Sequence, residues 1–287
     1  MPIAFRKVEG LGNDFVLLDR LDRSAVELAR DIAWAQANAS RVCDRRRGVG
    51  ADGILIVGPG RGSAEASMTV VNFDGSRPEM CGNGLRCVAA YVGERRSIEA
   101  MTIDTDAGPR ACQITARTGA EVSVRVDMGP AELLGAARPE AGGGREFVGV
   151  SMGNPHAVCF VGSDEDPEAL ARTLGSALEL DPVYQPAKTN VEFARVQSPS
   201  AIELWVWERG VGITDACGTG ACGTVVAAVE GGLVPAGTPV AVRLPGGVLH
   251  VTVPADPRVG VTMLGPARQA FSGVIDGSVS PSAAESS

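Results

Sequence analysis

The chain has 287 residues, 45% apolar and 21% charged. That is ordinary globular composition, which excludes a disordered or fibrous polymer, and the length points to two lobes. A net charge of −8, with basic residues clustered only at Arg45-Arg46-Arg47, excludes nucleic acid and anionic membrane surfaces as natural partners and favours a small soluble molecule.

In chain order, apolar runs predict strands over 54–57, 67–72, 121–126, 157–161, 202–207 and 248–253. After Cys81 the period changes. Leu85, Val88, Ala89 and Val92 follow helical spacing, and after Cys217 so do Cys222, Val225, Val226 and Val229. Helices so apolar must be buried, and a sheet curling around each is the natural packing. The fold class is therefore α+β. Glycine (37) and proline (18) are in excess without a collagen period, which means many tight turns. The Gly129-Pro130 to Gly144 segment reads as a boundary. It separates an N-terminal lobe over 1–130 from a C-terminal lobe over 145–271; whether the chain's last residues return to the first lobe stays open. Residues 272–287, rich in Ser, Gly and Ala, read as a flexible tail.

A duplicated plan runs through these elements. Gly-Asn-Asp-Phe-Val at 12–16 is echoed by Gly-Asn-Pro-His-Ala-Val at 153–158, and Cys81-Gly82-Asn83-Gly84 by Cys217-Gly218-Thr219-Gly220. Asn13 precedes Cys81 by 68 residues, and Asn154 precedes Cys217 by 63. Asn72 and Glu208 each stand 9 residues before their cysteine. Order and spacing together predict two pseudo-symmetric lobes.

Each of these cysteines opens a helix. A helix N-terminus presents unpaired N–H groups and a partial positive charge, which lowers a thiol's pKa and binds carboxylates. Gly82, Gly84, Gly218 and Gly220 let the backbone approach a ligand. Two thiols from matching positions can flank one carbon, one removing a proton and the other returning one, with inversion as the result. The remaining cysteines, Cys43, Cys87, Cys112, Cys159 and Cys222, read as small core residues. His156 paired with Cys217 would suggest a hydrolase, but that leaves Cys81 unexplained. His156 and Glu208 fit better as groups that tune the thiols. Asn13, Asn72, Asn83, Asn154 and Asn190, with Glu208 and Arg209, offer donors and acceptors for a zwitterion, Arg209 being suited to a carboxylate.

Two histidines and no Cys-x-x-C cannot build the usual zinc sites. The two lysines, Lys7 and Lys188, lie beside no glycine-rich phosphate loop, so pyridoxal phosphate is set aside. The expected cofactor is none. No apolar run approaches the roughly 18 residues of a membrane span, and the opening segment shows no export signal. A cytoplasmic protein with reduced thiols is expected. A homodimer is one assembly the chain allows; the sequence does not fix the oligomeric state.

At these residues the chain resembles the diaminopimelate epimerases. The resemblance is carried by Gly-Leu-Gly-Asn-Asp-Phe at 10–15, Arg-Gly-Val-Gly-Ala-Asp-Gly at 47–53, Asn-Phe-Asp-Gly-Ser at 72–76 and Met-Cys-Gly-Asn-Gly-Leu-Arg-Cys at 80–87. Met-Gly-Asn-Pro-His at 152–156, Thr-Asn-Val-Glu-Phe at 189–193, Glu-Arg-Gly at 208–210, Ala-Cys-Gly-Thr-Gly-Ala-Cys at 216–222 and Leu-Pro-Gly-Gly at 244–247 continue it across nearly the whole chain. It implies two lobes, each a mixed β-barrel-like sheet around a central helix, with the site in the cleft between them. It also implies cofactor-free interconversion of LL- and meso-diaminopimelate in lysine and peptidoglycan precursor synthesis. Cys81 and Cys217 would be base and acid, and Gly82, Asn83, Gly218 and Thr219 the carboxylate cradle. Asn13, Asn72, Asn154, Asn190, Glu208 and Arg209 would contact substrate, with His156 and Glu208 modulating thiol pKa. The chain departs from the family pattern at Gly53, Phe73 and Ile213. The alternatives are a proline, hydroxyproline or histidine racemase of the same fold, and a non-catalytic thiol redox or binding protein.

Overall fold

The computed structural model describes residues 2–277. The first half runs β1 (Pro2–Gly10), β2 (Asn13–Asp19), α1 (Ala25–Cys43), β3 (Gly53–Pro59), β4 (Ala66–Asn72), α2 (Gly82–Arg96), β5 (Ala100–Thr105), β6 (Gly108–Thr118) and β7 (Glu121–Asp127). The second runs β8 (Glu132–Ala137), β9 (Phe147–Ser151), β10 (Pro155–Phe160), α3 (Pro167–Glu179), β11 (Asn190–Ser198), β12 (Ala201–Glu208), β13 (Gly212–Ile213), α4 (Gly218–Glu230), β14 (Val240–Leu244) and β15 (Gly247–Thr252). A long last strand, β16 (Thr262–Asp276), follows.

Strands β1 to β7 lie in sequence order, and β16 pairs with both β7 and β1, closing an eight-stranded barrel. On its way β16 also pairs with β15, and the sheet continues through β14, β12, β11, β10 and β9 to an edge at β8. The second sheet thus curls around its helix without closing. The connectivity repeats: β2–β3 and β10–β11 are parallel, β3–β4 and β11–β12 antiparallel, β4–β5 and β12–β14 parallel. Parallel neighbours need a crossover. Helices α1 and α3 make the first crossover of each half, and α2 and α4 the second.

The inner and outer helices differ because the strands between them are buried on both faces. Phe15, Leu17, Leu55 and Val57 pack with Leu85, Val88 and Val92 of α2 inside the barrel. Val16, Leu18, Ile54 and Ile56 point the other way, against Ala35, Ala39 and Val42 of α1. Each fully buried aliphatic side chain contributes about 1.5–3 kcal/mol, so the inner helix is held chiefly by the barrel wall. Helix α1 is amphipathic and starts with a capping box, Ser24 and Glu27 exchanging bonds with each other's backbone N–H. Helix α3 covers β11 and β12. It lies so close that a Cβ on Gly175 would sit 2.6 Å from Trp207, so the position requires glycine.

The expected lobe limits need correction at both ends. Strand β8 hydrogen-bonds to β9 and so belongs to the second sheet, within the stretch read as boundary. Residues 262–271 return to complete the first barrel, the possibility left open above, while 262–264 also pair with β15 of the second sheet. Residues 272–276, read from composition as tail, form ladder pairs with β1, from Ser272 opposite Arg6 to Asp276 opposite Pro2. Ile275 joins the outer core, and Arg41 donates to the Asp276 carbonyl at 3.2 Å. Residues 278–287 lie outside the described residues. A chain ending at Phe271 should therefore melt several degrees lower, since about 2–4 °C accompanies each kcal/mol lost in a protein of this size. Calorimetry of the truncated and full chains checks this; equal melting temperatures would deny the 272–276 pairing with β1 a stabilising role.

Candidate active site

Cys81 and Cys217 occupy the same position in the two halves: each is the N-cap of its inner helix. An N-cap side chain accepts from the first-turn N–H groups, a place usually held by Ser, Thr, Asp or Asn. Here a sulfur does it. Gly84 N–H lies 3.4 Å from Cys81 Sγ, and Gly220 N–H 3.3 Å from Cys217 Sγ. The glycines let neighbouring side chains pack closely. A Cβ on Gly84 would stand 2.8 Å from Leu55 Cδ2, and one on Gly220 would stand 2.9 Å from Glu192 Oε1.

The two helix starts meet. The Asn83 amide, in the first turn of α2, donates to the Ala216 carbonyl at 2.8 Å and to Asn13 Oδ1 at 3.2 Å. Its Oδ1 is buried without a partner, 3.7 Å from where a Gly218 Cβ would be. Met263 of β16 lies against Gly82 and Gly218 alike. The cleft between the sheets therefore carries the free N–H groups of two helices, and a thiol at each.

Behind each thiol stands an asparagine at the start of the matching strand. Asn13 Oδ1 is 3.9 Å from Cys81 Sγ, and its amide donates to Asp52 at 2.7 Å. Asp52 in turn accepts from Arg45 at 2.7 Å. In the second half, Asn154 donates to Thr219 Oγ1 at 3.4 Å, and Thr219 Oγ1 is 3.6 Å from Cys217 Sγ. Asn154 Oδ1 is 3.1 Å from His156 Nε2, and His156 Nδ1 is 2.6 Å from Glu192 Oε1. Glu208, at the end of β12, accepts from Thr214 at 2.5 Å. Asn190 accepts from the Arg209 backbone N–H at 3.0 Å and donates to the Pro155 carbonyl. Asn72 donates to Ser76 Oγ at 3.0 Å, and the exposed Arg209 guanidinium donates to the Ala187 carbonyl at 2.6 Å.

The diaminopimelate epimerase family model matches residues 5–134 and 148–270. A diaminopimelate epimerase from Desulforudis audaxviator is 46% identical over 94% of this chain and 98% of its own. One from Microcystis aeruginosa is 40% identical over 96% and 99%. The chain belongs to the diaminopimelate epimerase family. Solved structures of a probable proline racemase from Agrobacterium radiobacter (TM-score 0.74, 17% identity, 98% and 94% coverage) and a hydroxyproline epimerase from Agrobacterium vitis (TM-score 0.73, 18% identity, 96% and 91% coverage) share its fold.

Of the expected site residues, Asn13 and Thr219 contact the two sulfurs, and Asn83, Asn154 and His156 are linked to them through these, whereas Asn72, Asn190 and the Arg209 side chain bond to Ser76, Pro155 and Ala187. Both His156 ring nitrogens are engaged, by Glu192 and Asn154, which leaves neither for the Cys-His pairing that was set aside above. One expectation about chemistry changes. The thiols are not made acidic by their helices. Burial raises Cys81 above the ordinary thiol value, against the pull of Gly84 N–H and Arg86. Burial raises Cys217 further still, with the Glu208 and Glu192 carboxylates adding to it. Loss of water outweighs the helix N–H groups at both sulfurs. The departures from the family pattern also separate. Phe73 is exposed, Ile213 packs with Trp207 in the outer core, and a Cβ on Gly53 would meet the Val71 carbonyl at 2.6 Å.

Sequence reasoning missed Asp52, Arg86 and Glu192. Arg86 is wholly buried, donates to the Pro266 carbonyl and has one nitrogen unpartnered. Its place relative to Cys81 is that of Cys222 relative to Cys217. Glu192 had a signal: it follows Asn190 by two residues, so both lie on the same face of β11. Among the described residues no group of His, Cys, Asp and Glu could hold a metal ion. Two surface hollows of about 490 and 500 Å³ are lined by none of the site residues.

All seven cysteines are free thiols. Burial pushes Cys43, Cys87, Cys112 and Cys222 up to about 12 and Cys159 to about 11. An unfolded thiol ionises near 8.5, so the folded state holds protons that the unfolded state releases. Their contribution to stability is whole below about pH 8.5 and is lost as pH rises toward the folded values. The melting temperature should be level from pH 7 to about 8.5 and fall steadily above it. A level curve to pH 11 would contradict the assignment of these thiols to the core.

Proposed function

We propose that Cys81 and Cys217 work on opposite faces of one α-carbon of diaminopimelate, interconverting the LL and meso forms without a cofactor. The observation that carries the reading is the matched pair of thiol N-caps joined through Asn83. The α-carboxylate would sit between the helix starts, on the N–H groups of Gly82, Asn83, Gly218 and Thr219, where negative charge developing in the transition state is best stabilised. The unpartnered Asn83 Oδ1 suits the α-ammonium. The distal amino-carboxylate end would be met by Asn13, Asn72, Asn154, Asn190, Glu208 and Arg209, the guanidinium leaving Ala187 for the carboxylate.

One thiol must first lose its proton. Arg86, buried nearby, favours ionisation of Cys81, whereas Glu208 and Glu192 oppose that of Cys217. The thiolate then takes the α-proton, the electron pair is delocalised toward the carboxylate, and the opposite thiol delivers its proton to the other face. The reverse reaction exchanges the roles. Relatives of 40–46% identity that bear the epimerase name favour this substrate over the ring amino acids named for the structural neighbours. A place in lysine and peptidoglycan precursor synthesis, a cytoplasmic location and a homodimer belong to the same reading. Among the described residues no helix is long and apolar enough to cross a membrane.

In deuterated water with no added cofactor, purified protein should epimerise LL-diaminopimelate and place deuterium at the α-carbon. Cys81→Ala or Cys217→Ala should lower the rate by at least the roughly 10²–10⁴-fold of general acid–base catalysis. Cys81→Ser and Cys217→Ser should each still eliminate halide from one stereoisomer of a β-halogenated analogue, and from opposite ones, since elimination needs only one base. Elimination from the same stereoisomer by both, or near-full activity of either Ala variant, would refute two-face chemistry.

A further inference from the structure

The two thiols have equivalent positions but opposite undersides. Register equates Phe15, opposite Gly53, with His156, opposite Asn190. Two residues further on, Leu55 is equated with Glu192. The contacts agree, because Leu55 lies against Gly84 of α2 as Glu192 lies against Gly220 of α4. The floor beneath Cys81 is thus an apolar Phe–Leu pair, and beneath Cys217 it is a fully buried His–Glu pair. Burying ionisable groups where the other lobe manages with hydrocarbon costs stability, so the pair needs a reason beyond packing.

We propose that Glu192 is a positioning residue that sets Cys217 apart from Cys81, orienting it through His156, Asn154 and Thr219. Glu192 Oε1 lies 2.6 Å from His156 Nδ1. On the other side of the ring Asn154 Oδ1 can only accept, so Nε2 carries a hydrogen and donates to it at 3.1 Å. That fixes the Asn154 amide, so its N–H₂ faces Thr219, whose hydroxyl neighbours Cys217 Sγ. Without Glu192 the hydrogen can move to Nδ1; Asn154 would then turn its amide to donate to Nε2 and release Thr219. The carboxylate also stands close to the sulfur: a Cβ on Gly220 would be 2.9 Å from Glu192 Oε1 and 3.1 Å from Cys217 Sγ. The ionisable groups facing this end of α4 are Glu208 from β12, Glu192 from β11 and His156 from β10. Tyr184 stands behind Glu192, and Arg86 of α2 faces Cys222.

The inference rests on the two-thiol reading, and the same analogue tests both separately. In Cys81→Ser only Cys217 can act as base, and in Cys217→Ser only Cys81. In each, the thiolate takes the α-proton, the C–H pair forms the double bond and halide leaves from the β-carbon. Adding Glu192→Leu, the residue the other lobe carries, should slow elimination by Cys217 about 10–100-fold, as expected when a reacting group is misplaced by about 1 Å. It should also move that pH profile toward acid by about one unit, the carboxylate being gone. Glu192→Gln, whose amide still donates to Nδ1, should show the same acid shift while recovering most of the rate. Neither substitution should move the profile read through Cys81. Equal effects on both thiols, an unmoved Cys217 profile, or a Gln variant as slow as the Leu variant would overturn the role of Glu192. Epimerisation that survives loss of either cysteine would overturn the two-thiol reading itself.

Discussion

Asn83 donates from the first turn of α2 to the carbonyl just before Cys217, and through that bond the two helix starts are held face to face. The rest of the molecule serves this meeting. Each helix can end there only because a sheet encloses it, and each sheet can enclose it only because its own outer helix covers the far face. The barrel is closed by β16, which also carries Met263 into the seam between the helix starts. One strand therefore closes the first lobe, joins the second and floors the site.

The same burial that holds the helices sets the chemistry. Thiols taken from water resist ionisation, and the helix N–H groups only partly offset this. These N–H groups are arranged before substrate arrives, which is the least costly way to stabilise charge that develops during reaction. The two halves share a backbone plan but differ in their buried charges, with Arg86 near one thiol and Glu192 and Glu208 near the other. A reaction that exchanges a proton between two faces needs such a difference only in degree, because both thiols must take both roles.

Much of the site was legible in the sequence because it lies in short motifs with a direct physical meaning. A cysteine between a strand and an apolar helix, followed by glycine, reads as a thiol at a helix start, and its repetition at matching intervals announced two lobes. Asn13, Asn154, Asn72 and Glu208 were found by the same spacing. The outer helices were not found, although the uninterrupted run Ile54–Val57 implied a strand covered on both sides. Nor was the end of β16, whose Ser and Gly composition resembles a tail; its order comes from pairing with β1, some 270 residues earlier in the chain.

The sequence by itself determined the two-lobe plan, the two inner helices, the two thiols that cap them and the family, because each depends on residues close together along the chain. Tertiary structure alone decided which lobe closes, how Asn83 joins the helix starts and which charges lie beneath each sulfur. Glu192 and His156 are 36 residues apart, and Arg86 meets β16 at a separation of 180. Only the parallel pairing of β10 with β11 and the closure of the barrel bring such groups within reach, and burial then decides how strongly they act.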